Sequence, residues 1–337
     1  MGSHRRLAPS GFDRGAGAAV SILSVAVTAL GALPSAAAPH DDTRAEVDRL
    51  YEQAEKATEA YNEADERADA LREETGSARD RIARQQQRIN SMRESLGSLA
   101  GAQYRSGGLD PTLALLLSDD PGEYLDRASR LDRFTAHQAR ELRKLQEAMR
   151  ELAQDREEAA GKLRELVKSR KAVSAHKRTV ERKLAAARLL LNSLPESERE
   201  AYGRASRSGR YGMPWLGDAT AASARGAAAV AAARAALGRP YVWGANGPSG
   251  FDCSGLMQWS YAQAGVAIPR TSQAQRYAGR QVPLSEARPG DLVVYRGDAS
   301  HVGMYMGNGQ VIHAPHPGAP VRYDPVGMMP ISSVTRV

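Results

Sequence analysis

The sequence predicts an α+β chain in two parts, a long antiparallel helical coiled-coil hairpin followed by an α+β domain with an antiparallel sheet. Three observations carry this. Two long stretches place apolar or small residues at alternating steps of three and four, the heptad pattern of paired helices. Between them Gly107-Gly108, Asp110-Pro111 and Asp119-Asp120-Pro121-Gly122 stop and restart the helix. From residue 224 onward, helical patterns come first and short strand-like runs follow, separated by glycine-rich turns.

Residues 1–38 read as a secretory signal. Arg5, Arg6 and Arg14 precede the apolar run Ala16 to Leu33, and Ser35-Ala36-Ala37-Ala38 offers the small residues that a signal peptidase needs. Cleavage is expected after Ala37, since Pro39 is a poor residue just beyond a cut. The chain is therefore expected outside the cytoplasm, as a secreted protein. No later run approaches the ~20 apolar residues of a membrane span.

The hairpin is expected over residues 39–202. Its first seam steps from Val47 through Leu50, Ala54, Ala57, Tyr61, Leu71, Ile82 and Ile89 to Leu99. The second runs from Leu131 through Leu142, Leu145, Met149, Leu152, Leu163, Leu166, Val173, Val180, Leu184 and Leu191 to Leu194, and it accepts Arg156, Arg170 and Lys177 as polar positions. Charge favours antiparallel pairing. Residues 41–75 hold thirteen acids and five bases, net −8; residues 161–188 hold ten bases and two acids, net +8. A turn near 107–122 lays these stretches side by side. At ~1.5 Å per residue each arm is on the order of 90–100 Å long. The turn carries Leu109, Leu113, Leu115, Leu116 and Leu117, which either fold back on the coil or form a docking knob for a partner. Residues 203–223 read as a linker in which Pro214 and Trp215 stand out.

The full chain carries a net charge of +7. Residues 224–337 hold ten Arg and five acids, net +5, whereas residues 39–223 are neutral. A basic exported domain suits an anionic surface such as a cell wall. Basic and aromatic residues do not alternate along a stripe, so nucleic acid is not an expected partner.

In the C-terminal domain, over residues 224–337, helices are expected at Ala224 to Leu237, Ser254 to Ala264 and Ser272 to Ala278. Strands are expected at Asp291–Tyr295, Val302–Met306, Val311–Ala314 and Val321–Tyr323. The sole cysteine, Cys253, opens the second helix. An internal disulfide is excluded, so Cys253 is a small buried hydrophobe or a nucleophile. A helix N-terminus and a nearby imidazole both favour a thiolate. His301 begins a strand and His313 lies on the next, across Gly307-Asn308-Gly309, so the two can share a face. A base that later acts as acid, and a third group that fixes its ring, complete a hydrolytic thiol site. His316 is a second candidate for the third group. Zinc-site spacing is missing, so no metal and no cofactor are expected.

Tyr241-Val242-Trp243-Gly244, Phe251-Asp252-Cys253-Ser254-Gly255-Leu256, Pro269-Arg270-Thr271-Ser272-Gln273, Arg288-Pro289-Gly290-Asp291-Leu292-Val293 and His301-Val302-Gly303-Met304-Tyr305 carry a resemblance. In this order they resemble the NlpC-type peptidoglycan endopeptidases, which are papain-like cysteine peptidases. The resemblance implies a papain-like catalytic domain with Cys253 as nucleophile, His301 as base and His313 as the group that orients it. It also implies that Tyr241 positions substrate and oxyanion, and that Asp252 and Ser254 contact substrate. Arg270 is either a substrate ligand or a solvated charge. The implied reaction is hydrolysis of the γ-D-glutamyl–diamino-acid bond of a peptidoglycan stem peptide. The first half, through Tyr104-Arg105-Ser106-Gly107-Gly108 and Leu115-Leu116-Leu117-Ser118-Asp119-Asp120-Pro121, resembles the coiled-coil arm of division-associated cell-wall hydrolases. That likeness implies a membrane cell-division permease as partner, gripping the coil. Two rival readings are a catalytically inert coiled-coil scaffold on the wall and an N-acetylmuramoyl-alanine amidase using the same cysteine and histidine.

Overall fold

A computed structural model describes residues 39–105, 121–205 and 221–337. The expected signal segment, the tip leucines, Pro214 and Trp215 lie outside the described residues.

Helix α1 (Pro39–Arg105) and helix α2 (Pro121–Ser193) pair antiparallel. Lys162 bridges Glu74 at 3.3 Å, Arg67 bridges Glu165 at 2.7 Å, and Gln85 donates to Glu151 at 3.1 Å. The partner's residue number falls as the first rises, the pairing that the opposed charges favour. The described helices contain no stretch both long and apolar enough to cross a membrane.

The seam of α1 lies where its heptads put it: Val47, Leu50, Ala54, Ala57, Ala68, Leu71, Ala78 and Ile89 are buried. The seam of α2 needs a correction. Up to Val180 every second expected position holds, through Leu152 and Leu166, but the alternate positions lie one residue earlier; beyond it Leu184, Ala187 and Leu194 are buried as expected. Ala148 and Ser169 face α1, while Met149 and Leu163 are exposed, as are Leu142, Arg156, Arg170 and Lys177. Small residues win these places because the helices approach closely there. Ser169 Oγ donates to the Ala64 carbonyl of the other helix at 2.7 Å. After Leu194-Pro195 a short helix α3 (Glu196–Ala205) turns back, and Tyr202 donates to Asp48 at 2.7 Å. Residues 203–205, expected in the linker, are therefore helical.

Helices α4 (Ala224–Ala235), α5 (Cys253–Gln263) and α6 (Ser272–Gln275) precede six strands. These are β1 (Arg280–Val282), β2 (Leu292–Tyr295), β3 (His301–Gly307), β4 (Gln310–His313), β5 (Arg322–Pro325) and β6 (Ile331–Arg336). They form one antiparallel sheet in the order β1-β6-β2-β3-β4-β5. Strands β1 and β6 were not expected. One is only three residues long, and the other mixes Ser, Thr and Arg, so neither shows a two-residue hydrophobic period. The main core packs α4 and α5 on the sheet through Ala229, Ala233, Leu256, Met257, Val302, Met304 and Ile312.

The first part of α1 is buried on two sides. Val47, Leu50, Ala54 and Ala57 pack with Val180, Leu184 and Ala187 of α2. A second face, Glu55, Thr58, Glu59 and Asn62, is buried although polar. That face lies on the sheet domain. Tyr51 stacks on His316, with ring centroids 4.7 Å apart, and Tyr61 meets the Trp243 ring edge-on. Lys56 bridges Asp298 at 3.0 Å.

Candidate active site

Cys253 is the first residue of α5 and is 1% exposed. Asp252 caps the helix: its Oδ1 accepts from Gly255 N at 2.6 Å, satisfying one of the free N–H groups of the first turn. The same carboxylate holds Arg270 at 2.5 Å through Oδ2, accepts from Gly244 N at 3.0 Å, and accepts from Asn62 of α1 at 3.1 Å. Arg270 is itself buried and also donates to Ser254 Oγ at 2.9 Å. It is thus not a solvated charge but part of the frame that fixes the start of α5.

His301 and His313 come together on neighbouring strands. Gly303 lies between them, and a Cβ there would come within 3.2 Å of His313 Cβ. The missing side chain leaves room for the imidazole of His313. His301 Nε2 is 2.7 Å from His313 Nδ1, and His313 Nε2 is 2.8 Å from Asp324 Oδ2, which also binds Arg322 at 2.7 Å. Burial, opposed only in part by Asp324, pushes the His313 pKa down to about 4, so this ring is neutral. Its single proton belongs on Nε2, toward the Asp324 carboxylate. His313 Nδ1 then accepts from His301 Nε2, so that Nδ1 is the His301 nitrogen on the side of the thiol and of α1. The structure sets His313, not His316, against His301; the His316 ring contacts the Pro317 carbonyl instead. Tyr241 is buried in the same core as Cys253. Burial first, and then Cys253, raise its phenol pKa.

Three residues of α1 enter this site, and sequence reasoning missed all of them. Glu55 is hydrogen bonded to His301 Nδ1 and bridges Arg296 at 2.5 Å. Glu59 Oε1 lies 3.7 Å from Cys253 Sγ and accepts from Ser254 Oγ at 2.7 Å; its Oε2 accepts from Ser272 N at 2.7 Å. Asn62 completes the set at Asp252. In sequence these are three polar residues among the acids of a coil, and nothing local marks them. Asp324 was missed for the same reason.

The electrostatics of this closed site oppose thiol chemistry. Burial, then the carboxylates of Glu59, Glu55 and Asp252, raise the Cys253 thiol pKa well above its ordinary value. Burial, then Asp252, push Glu59 up to about 7. Burial alone would raise Glu55 too, but His301 and Arg296 outweigh it and hold that carboxyl low. The thiol keeps its proton, and the nitrogen that would take it is engaged by Glu55.

Residues 238–334 match the model of the NlpC/P60 family. The C-terminal domain is an NlpC/P60 domain. Over 118 residues the chain is 48% identical to a probable endopeptidase of Corynebacterium glutamicum, covering 35% of this chain and 56% of that one. Over 97 residues it is 48% identical to the probable endopeptidase p60 of Listeria monocytogenes, covering 28% and 20%. The match therefore spans about half, or less, of these relatives' lengths. Among solved structures, the NlpC/p60 domain of the peptidoglycan hydrolase SagA is 39% identical, covering 33% of this chain and 98% of that one, with a TM-score of 0.32. All the site residues from Tyr241 to Asp324 lie inside the NlpC/P60 match, and Glu55, Glu59 and Asn62 lie outside it.

Proposed function

We propose that this protein is an exported cysteine endopeptidase of peptidoglycan that cuts the γ-D-glutamyl–diamino-acid bond and is held inactive by its own coiled coil. The observation that carries the reading is the convergence of Cys253, His301, His313 and Asp324 in an NlpC/P60 domain, with Glu55 and Glu59 of α1 on the two reacting groups.

In the open enzyme the Sγ proton passes to His301 Nδ1, and the thiolate attacks the amide carbonyl. The tetrahedral oxyanion forms beside the N-terminus of α5, and Tyr241 helps to position it. His301 returns the proton to the leaving amine, giving a thioester. Water, deprotonated by the same nitrogen, then releases the acid. His313 and Asp324 hold the ring and its tautomer throughout.

The coil opposes this in three ways. Glu59 fills the space in front of Sγ, and the two glutamates raise the thiol pKa while Glu55 engages the base. Withdrawal of α1 removes all three effects together. The basic domain and the signal-like start favour a wall substrate outside the cytoplasm. A division permease gripping the leucine tip is the partner that fits, because pulling on the far end of a stiff arm would lift its near end.

The test is digestion of purified wall fragments with mass spectrometry of the products. The full chain should be nearly silent, and Glu55→Ala/Glu59→Ala should release fragments ending in γ-D-glutamate. Products cut between sugar and stem peptide would point to an amidase. A silent double variant, with silence also in residues 224–337 alone, would sink the peptidase reading.

A further inference from the structure

Closure does more than cover the thiol. It brings Glu55 of α1 to Cys253 of α5 and His301 of β3, all buried, with a donor atom from each lying within 4.8 Å of the others. Glu59 Oε1 stands 3.7 Å from the same sulfur. A thiol, an imidazole and a carboxylate are the mixed donor set of a zinc-class cation, which binds sulfur at ~2.3 Å, nitrogen at ~2.0 Å and carboxylate oxygen at ~2.1 Å. Donors at these lengths around one tetrahedral ion stand about 3.3–3.7 Å apart. Glu55 Oε1 and His301 Nδ1, hydrogen bonded more closely than that, part to admit the ion between them.

We propose that the closed form binds a thiophilic divalent cation of the zinc class through Cys253 Sγ, His301 Nδ1 and Glu55 Oε1, and that this cation locks the arm onto the domain. The ion is inhibitory and takes no part in hydrolysis.

The surroundings fit the ion. His301 already points its other nitrogen, Nε2, at His313 Nδ1 at 2.7 Å, the outer hydrogen bond that steadies a metal-bound imidazole. Asp324 holds His313 in turn at 2.8 Å. Arg296 on Glu55 Oε2 leaves Oε1 to face the site. Glu59 has no ion pair among the described residues and lies near enough to serve as fourth donor, in place of water. Burial, and after it the three carboxylates of Glu59, Glu55 and Asp252, favour the protonated thiol. A dication relieves the same repulsion. On binding, the Sγ proton and the Nδ1 proton leave to solvent, sulfur and nitrogen each donate a lone pair, and no electron is transferred. Neither half of the molecule holds the site alone, because Glu55 belongs to the coil and Cys253 and His301 to the NlpC/P60 domain.

The inference rests on the closed arrangement proposed above, and its test is read without substrate. The full chain, purified free of metal, is titrated with zinc against a chromophoric chelator, and with cobalt while thiolate-to-cobalt absorption is followed. One zinc per chain is expected, with release of protons and a sulfur-to-cobalt band. Glu55→Gln and Cys253→Ser should each weaken binding by about tenfold or more, at least the loss that follows removal of an outer-sphere partner. Circular dichroism checks that both variants keep their helices. Should Glu55→Gln unseat the arm, Glu55→Asp, with its shorter carboxylate, should bind more tightly than Glu55→Gln. Absence of stoichiometric zinc, equal affinity in Glu55→Gln and the parent, or equal affinity in Glu55→Gln and Glu55→Asp would each overturn the proposal. If zinc fails to bind while Glu55→Ala/Glu59→Ala still gains activity, only the metal site is lost and the latch stands.

Discussion

Glu59 Oε1 lies 3.7 Å from Cys253 Sγ, across 194 residues of chain, so a carboxylate of the coil covers the thiol of the NlpC/P60 domain. The first prediction follows from that contact. Glu55→Ala/Glu59→Ala in the full chain should raise the initial rate on wall fragments at least about tenfold, the change expected when about 1.4 kcal/mol of closure is lost. Residues 224–337 alone should be at least as active. Equal rates for the parent and the double variant would refute covering by α1.

Alkylation reports the same contact without a substrate. In metal-free protein, iodoacetamide should label Cys253 slowly in the parent and faster in the double variant, since labelling needs both access and thiolate. Mass measurement of the modified chain gives the two rates. Chelators should not lower hydrolysis by the opened enzyme; a loss of activity with chelator would point to a metal-dependent reaction instead.

Among the groups proposed to carry catalysis, Cys253→Ala should abolish turnover and His301→Ala should cost about 10²–10⁴ in kcat. His313→Ala should be milder, because it removes orientation and not the proton acceptor. Asp324→Asn should be milder still, since it acts on His301 only through His313. These are measured in the opened background, so that release from the coil does not mask them. An Asp324→Asn loss exceeding that of His301→Ala would contradict the order of the chain.

Closure should depend on pH through Glu59. Its pKa is pushed up to about 7 in the closed form, mainly by burial, against an ordinary value of 4.5. Between these values the closed form holds more protons, so rising pH favours opening, and the effect levels off above about 7. Glu55, held low, adds nothing in this window, because it loses its contribution only as pH falls below 4.5. His316, lowered by burial against Tyr51, works the other way below its ordinary 6.5. The ratio of full-chain to isolated-domain activity should therefore rise toward neutral pH, and Glu59→Gln should remove the rise. A Glu59→Gln profile that parallels the parent would assign the dependence to other groups.

The corrected register of the coil is open to a stability test. Ala148 is 3% exposed and Leu142 is 49% exposed. Ala148→Leu should destabilise by about 1–3 kcal/mol through overpacking. Leu142→Ser should change stability by only about 0.5 kcal/mol. Thermal unfolding followed at the helix band separates the two, and the opposite order would restore the heptad placement first expected.

The coil, its antiparallel sense and the seam of α1 were legible because periodicity and charge are local properties, carried by runs of residues close together in sequence. Cys253, His301 and His313 were legible because a helix start and two adjacent strands fix their neighbourhood within a short span. Part of the α2 seam was not, since hydrophobicity favours Leu142, Met149 and Leu163 while the close approach of two helices favours Ala148 and Ser169. The short and polar strands β1 and β6 gained their place only from pairing with neighbours already formed. Asp324, just past the strand expected at Val321–Tyr323, carries no mark of its own until β5 pairs with β4. Glu55, Glu59 and Asn62 read as solvated coil residues until α1 lies against the domain. Whether a carboxylate meets water or a buried thiol depends on the packing of segments nearly two hundred residues apart, and no property of the segment itself records that choice.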